Sequence, residues 1–330
     1  MKTTITAVLL CVLGALGLLN IGQSLKNHLF PCDEEAETTY TVQVATSTDE
    51  EVMLDERFKV SAGDVLDLSL SHADVDIQTT DRMEAHIRVS VSATSEEKAR
   101  EYFESRNFEV RQDGDRVIVK MNPRKRNWNW NSGRVDMNVE VSIPTQFNAE
   151  IAMSHGDLEM GELEGYLDLK NSHGDVEVAA VRGDWVDIKL SHGDVELGRA
   201  MAEKVKLHNS HGDLEVGEIA TKMLNATNSH GDLSVGIKEG GTMELTNSHG
   251  AVDIAMSSAV GGSIRNSHGD IDIETHGDAA MTLDFQGSTV RLDESLSFQG
   301  TSPSQRVEGA VNGGGPLLKA RTSHGSIRIG

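Results

Sequence analysis

Ser210-His211-Gly212-Asp213-Leu214-Glu215-Val216-Gly217 decides how this chain folds, because it is one copy of a unit that recurs at a nearly fixed interval. Ser-His-Gly stands at His155, His173, His192, His211, His230, His249 and His268, spaced 18 and then five times 19 residues apart. A period this strict is the signature of a solenoid, in which each repeat forms one coil and stacks on its neighbour. The unit returns at Ser323-His324-Gly325-Ser326-Ile327-Arg328-Ile329. Two variant copies, Ser71-His72-Ala73-Asp74 and Thr275-His276-Gly277-Asp278, frame the array.

Within one copy, Gly212 permits the positive φ of a sharp corner. Asp213 can fold its carboxylate back onto nearby backbone amides. Leu214 and Val216 alternate with Asp213 and Glu215, which reads as a short strand with its apolar side inward. Gly217 turns the chain again, Ile219 plugs a second corner, and a return strand runs through Leu224 and Ala226 to Asn228. No single coil buries these residues. Stacked about 4.8 Å apart they form one apolar column, and seven coils make a rod of roughly 30 Å. The position before each Ser holds Asn171, Asn209, Asn228, Asn247 and Asn266, but Met153 and Leu190 in two copies. A place that accepts both Leu and Asn faces the interior, where stacked amides can bond along the axis as a ladder.

Outside the array, residues 57–150 alternate apolar and polar residues in short runs such as Val65-Leu66-Asp67-Leu68, Val75-Asp76-Ile77 and Arg116-Val117-Ile118-Val119. They read as an N-terminal β-rich part of the same domain, with one helical insertion from about Ser95 to Arg106. Residues 151–330 form the repeat solenoid. The expected class is therefore all-β: a parallel β-solenoid, or β-helix, of coils of about 19 residues. Residues 26–56 are acidic and rich in Thr and Ser and read as a tether. Residues 1–25 read as a signal peptide or an uncleaved N-terminal anchor, from Lys2 and the apolar run Ala7 to Ile21. The chain is thus expected to be exported, to the periplasm, cell envelope or cell surface, touching the membrane only through that segment if it is retained. Once the segment is removed, Cys32 is the sole cysteine and has no intramolecular partner.

Composition narrows the function. A formal net charge of -22 sets the surface against nucleic acid and anionic lipid, which it would repel. Only 4% of residues are aromatic, as suits stacked layers of small aliphatic side chains.

The turn Ser172-His173-Gly174-Asp175 followed by Val176-Glu177-Val178 resembles the repeats of the bacterial putative-adhesin β-strand-repeat family, a domain of unknown function. So do the strand-Pro run Val139-Glu140-Val141-Ser142-Ile143-Pro144 and the terminal copy at His324. The resemblance covers roughly Phe58 to Gly330 and implies an envelope-associated solenoid. That family usually has a small polar residue where this chain has His, so the His is a departure it does not explain.

Two features could carry chemistry. Equivalent His residues on successive coils would line one edge about 4.8 Å apart. Such a row could hold Zn²⁺, Ni²⁺ or Cu²⁺ with Asp175, Asp194, Asp213 and Asp232 as further ligands, or it could titrate; no other cofactor is implied. The alternative is a purely structural turn residue copied by duplication. The second feature is the basic, aromatic stretch with Arg124, Lys125, Arg126, Trp128 and Trp130, which could grip an envelope polymer or protein partner or else cover the solenoid end. Enzymes on β-helices place unlike residues in one non-repeating cleft. Here His and Asp recur on every coil, and no nucleophile elbow, phosphate loop or HExxH motif occurs, so the sequence points to a non-enzymatic scaffold or binding module.

Overall fold

The computed structural model describes residues 50–122, 135–276 and 278–330. The chain divides into two units, Met1–Ser47 and Thr48–Gly330. The first lies outside the described residues, and with it the export segment and most of the tether; the second is the solenoid.

Its strands are parallel and in register along the array, apart from a local shift around Ile219. Val176, Val195, Leu214, Leu233, Val252, Ile271 and Ile327 pair one above another. On the opposite row Leu169, Ile188, Leu207, Ala226, Leu245, Ile264 and Ala320 do the same. Every residue of both rows is buried. Large members of such rows each contribute about 1.5–3 kcal/mol by leaving water, but only because the next coil covers them.

The second corner does not interrupt the ladder. Val176–His192 is one continuous strand that closes one coil and opens the next, and Val195–His211, Leu214–His230 and Leu233–His249 repeat the arrangement. Ile219 is fully buried at that corner, as expected of a plug. Gly217 makes no positive-φ turn there; a side chain would bring its Cβ within 2.6 Å of the Gly198 carbonyl, so close approach of neighbouring coils is what requires glycine.

Chain order and stacking order part company at both ends. The early copy forms a full coil, Val65–Leu70 and Asp74–Thr80. That coil pairs on one side with Asn148–Met153 and Leu158–Glu164, where the array begins. On its other side lie Arg116–Met121 and Asp136–Pro144, supplied by an excursion that leaves after Thr80 and returns at Asn148. At the far end, Leu317–His324 and Ser326–Ile329 insert between Gly261–His268 with Ile271–Thr275 and the outermost layer, Met281–Gln286 with Thr289–Leu292.

Antiparallel strands cover the outermost layers at both ends, except at Thr289–Leu292, whose strand partner is the parallel Ser326–Ile329. Glu84–Ser92 lies antiparallel to Asp136–Pro144, Glu50–Lys59 lies antiparallel to Glu84–Ser92, and Phe108–Asp113 lies antiparallel to Arg116–Met121. Arg306–Val311 does the same against Met281–Gln286. The expected helix is present as Glu96–Arg106. Ser95 caps it, accepting from the Lys98 amide at 3.4 Å, and Ala99 and Tyr102 are buried against the cap. Two expectations need correction. Glu50–Lys59 is a strand, so the tether does not extend to residue 56: pairing with a distant strand overrides a locally featureless, acidic sequence. Phe108–Asp113, whose outward side is mostly charged, is a strand that the sequence reading passed over.

Candidate functional site: the histidine edge

The repeating corner is built from the inside outward. The Asn side chains are buried, and each amide donates to the Gly carbonyl of the previous coil's corner: Asn171 to Gly156 at 2.9 Å, Asn209 to Gly193, Asn228 to Gly212 and Asn247 to Gly231 at 3.0 Å, and Asn266 to Gly250 at 2.7 Å. The expected amide-to-amide ladder is therefore an amide-to-backbone ladder. Its reason is stoichiometric, since the corner carbonyl points inward and needs a donor. Leu70, Met153 and Leu190 fill the same interior place in other coils.

This predicts a sharp contrast at one position. Asn228→Asp, which buries a carboxylate and removes the donor to Gly212, should cost about 3 kcal/mol or more. Asn228→Leu, which reproduces the arrangement at Leu190, should cost about 1 kcal/mol. Urea midpoints of the two variants check it; equal losses would mean that the amide's burial is immaterial.

The corner aspartates reach along the axis and not within their own turn. The Asp175 carboxylate accepts from the Asp194 amide at 2.8 Å, Asp194 from Asp213 at 2.7 Å, Asp213 from Asp232 at 2.8 Å, and Asp232 from Ala251 at 2.7 Å. One oxygen of each expected metal ligand is thus already committed to backbone. Asp270 shows the electrostatic consequence: its bond from Ser326 holds its carboxyl below the usual range.

Between Ser and Gly the imidazoles project into solvent, all exposed. His155, His173, His192, His211, His230, His249 and His268 stack face to face in register. Two more rings than the array predicts extend the row: His72 on His155 and His324 on His268. The nine rings are separated by 4.4–4.9 Å between centroids, and their planes lie within 1–11° of parallel. His276 has no place in the row, because the coil of His324 takes the position next to His268. The copies at His72 and His324 were visible as Ser-His motifs, but their positions in the stack depend on the exchanged order at the ends.

Where a ring makes a hydrogen bond, it uses Nδ1: His155 with the Ser154 hydroxyl at 3.3 Å, and His230 with the Ser210 carbonyl at 3.4 Å. The end ring, His72, exposed but stripped of part of its hydration, is held below the ordinary imidazole range by that partial desolvation first, then by His155 and Arg106. Because the planes are parallel, equivalent nitrogen lone pairs are parallel too and do not converge on a point. A shared cation would also need nitrogens no more than about 4.2 Å apart. Among the described residues, no group of three or more His, Cys, Asp or Glu side chains is assembled to hold a metal ion.

Beside the histidine edge runs a carboxylate column that the sequence reading did not single out. Glu140, Asp76, Glu159, Glu177, Glu196 and Glu215 occupy successive coils in register, two residues after each corner Asp or its equivalent. On the opposite row, the Arg116 guanidinium holds Glu150 below the usual carboxylate range, and burial with a 2.8 Å bond to Glu150 pushes the Tyr166 hydroxyl up to about 12. That pair ties the outer layer to the array. The basic, aromatic residues Arg124, Lys125, Arg126, Trp128 and Trp130 lie outside the described residues.

A search of curated proteins gave no match. Among solved structures, a putative adhesin from Parabacteroides distasonis ATCC 8503 is 10% identical with a TM-score of 0.48, over 86% of this chain and 98% of that one. A putative lipid binding protein from the same organism is 13% identical with a TM-score of 0.45, over 85% and 96%. A putative adhesin from Bacteroides fragilis NCTC 9343 is 10% identical with a TM-score of 0.41, over 84% and 96%. The family match is of another order. It runs over residues 64–330, from just before the first strand of the opening coil to the end of the chain, and by it this protein belongs to the Toastrack DUF4097 family.

Proposed function

We propose that the chain is a non-enzymatic, exported binding module of the cell envelope, whose solenoid presents repeated polar side chains to an envelope polymer or protein. The observation that carries this reading is the register. The same outward residue type recurs coil after coil, as in Glu159, Glu177, Glu196 and Glu215. Such a surface offers many equal contacts, and a partner that repeats along it gains from each in turn. A catalytic site instead gathers unlike groups once, in one cavity.

The test is co-sedimentation of the full chain with isolated peptidoglycan and with purified surface polysaccharide at about pH 7.5, alongside capture of defined envelope proteins. Saturable binding by the folded chain, lost when it is unfolded, is the expected result. Absence of saturable binding to any of these removes the reading. Trp128→Ala/Trp130→Ala, compared in the same assay, asks whether that basic stretch adds a second contact.

A further inference from the structure

Parallel rings restrict what the histidine edge can hold. Each imidazole directs its contact along its own plane, and neighbouring planes never meet, so one small ligand cannot be shared between rings. A ligand that uses the whole edge must bring one group per ring, at a repeat of 4.4–4.9 Å. That repeat is the spacing of strands in a β-sheet. A second copy of this chain carries it by construction.

The complementary row stands on the same molecule. Glu159, Glu177, Glu196 and Glu215 stand on four successive coils, exposed, each four residues after a ladder histidine: His155, His173, His192 and His211. Among the described residues none of these four carboxylates has an ion-pair partner, and neither has any ladder histidine; the one histidine in such a pair, His86 with Asp55 at 2.8 Å, belongs to the N-terminal cap. The two rows run side by side on one molecule. A two-fold axis parallel to the solenoid would therefore set the ladder of each copy against the carboxylate column of the other, coil level with coil, the self-complementary arrangement that a two-fold interface requires.

We propose that two copies of this chain pair side by side in mildly acidic solution, the histidine edge of each lying along the Glu159–Glu215 column of the other. Histidine is the side chain whose ordinary charge change falls between about pH 5 and 8, and a formal charge of -22, counted with histidine neutral, keeps copies apart. One proton on every histidine would take that charge from -22 to -9, and nine of the thirteen histidines belong to the edge. Within one copy, the rings above and below lie against each ring, Arg106 acts on the His72 end, and a corner aspartate stands two residues after the histidine in every coil except those of His249 and His324. Neighbouring imidazolium groups repel, the corner carboxylates offset part of that repulsion, and a partner's glutamates arriving at the same repeat offset more.

Sedimentation velocity of the full chain tests this at about pH 7.5 and about pH 5.5, each at low and high salt. The expected result is a monomer at the higher pH and a doubled mass at the lower one, with at least ~10-fold weaker association in high salt. Both rows are exposed, so Gln replacements should leave the coil intact, which far-UV circular dichroism verifies. Replacing His155, His173, His192 and His211 with Gln should abolish the acid dimer, and replacing Glu159, Glu177, Glu196 and Glu215 with Gln should do the same. Mixing the two variants should restore a weaker heterodimer through the one remaining ladder–column contact. Four outcomes overturn the proposal: a wild-type monomer at both pH values, an acid dimer that survives either replacement, no heterodimer on mixing, or a dimer that forms only with added Zn²⁺. None of these bears on polymer binding at neutral pH, so failure here and failure of the envelope-module reading are told apart.

Discussion

A chain ending at Pro316 is expected to lose far more stability than one terminal coil would account for. Leu317–His324 and Ser326–Ile329 are not the end of the stack; they lie between the coil of His268 and the outermost layer, pairing with both. Leu318, Ile327 and Ile329 are fully buried there. At about 1.5–3 kcal/mol for each large apolar side chain, their loss alone is on the order of 5–9 kcal/mol, comparable with the whole stability of an ordinary domain. The truncation also strips Met281–Gln286 of its parallel partner and uncovers Ile264 and Ile273. In a stack governed by nearest neighbours, the far coils should survive longest. Hydrogen exchange should therefore show residues 261–316 losing protection together, while the coils around Val195–His211 remain protected. Retained protection over Met281–Gln286 in the truncated chain would contradict the inserted order.

Gly212→Ala should be among the most damaging single methyls that the array can receive. Gly212 has φ of +115°, and a Cβ there would sit 2.1 Å from the Gly193 carbonyl oxygen and 2.6 Å from the Asp194 carboxylate. Both neighbours are fixed, since that carbonyl accepts from Asn209 and that carboxylate accepts from the Asp213 amide. Backbone strain and a clash with the adjacent coil add, so a loss of about 3–5 kcal/mol is expected. Gly114→Ala is the matched control. Its φ is +61°, but nothing lies within 4 Å of the added methyl, so it should show the left-handed cost alone, about 1–2 kcal/mol. Urea unfolding of the two variants decides it. Equal losses would show that the corner glycines are required for φ and not for the close approach of coils.

The 19-residue period was enough to specify the length of a coil, the parallel stacking and the row of imidazoles. A repeat that buries its Leu and Val only against a copy of itself has one in-register solution, and every equivalent residue must then follow. The alternation before residue 144 likewise marked most of the cap strands, because a half-buried strand leaves a period of two wherever it lies. Other features turned on contacts between residues far apart in the chain. His324, and not His276, continues the row, because Leu317–His324 finds its partners across a crossing that no local pattern records. Glu50–Lys59 is a strand because Glu84–Ser92 lies beside it. The Asn amides bond to corner carbonyls and the Asp carboxylates to the next coil's amides, because backbone groups brought together by stacking needed partners. Ring orientation belongs with these: the sequence places the histidines at one edge, whereas packing against neighbouring corners makes their planes parallel and so sets what the edge can bind.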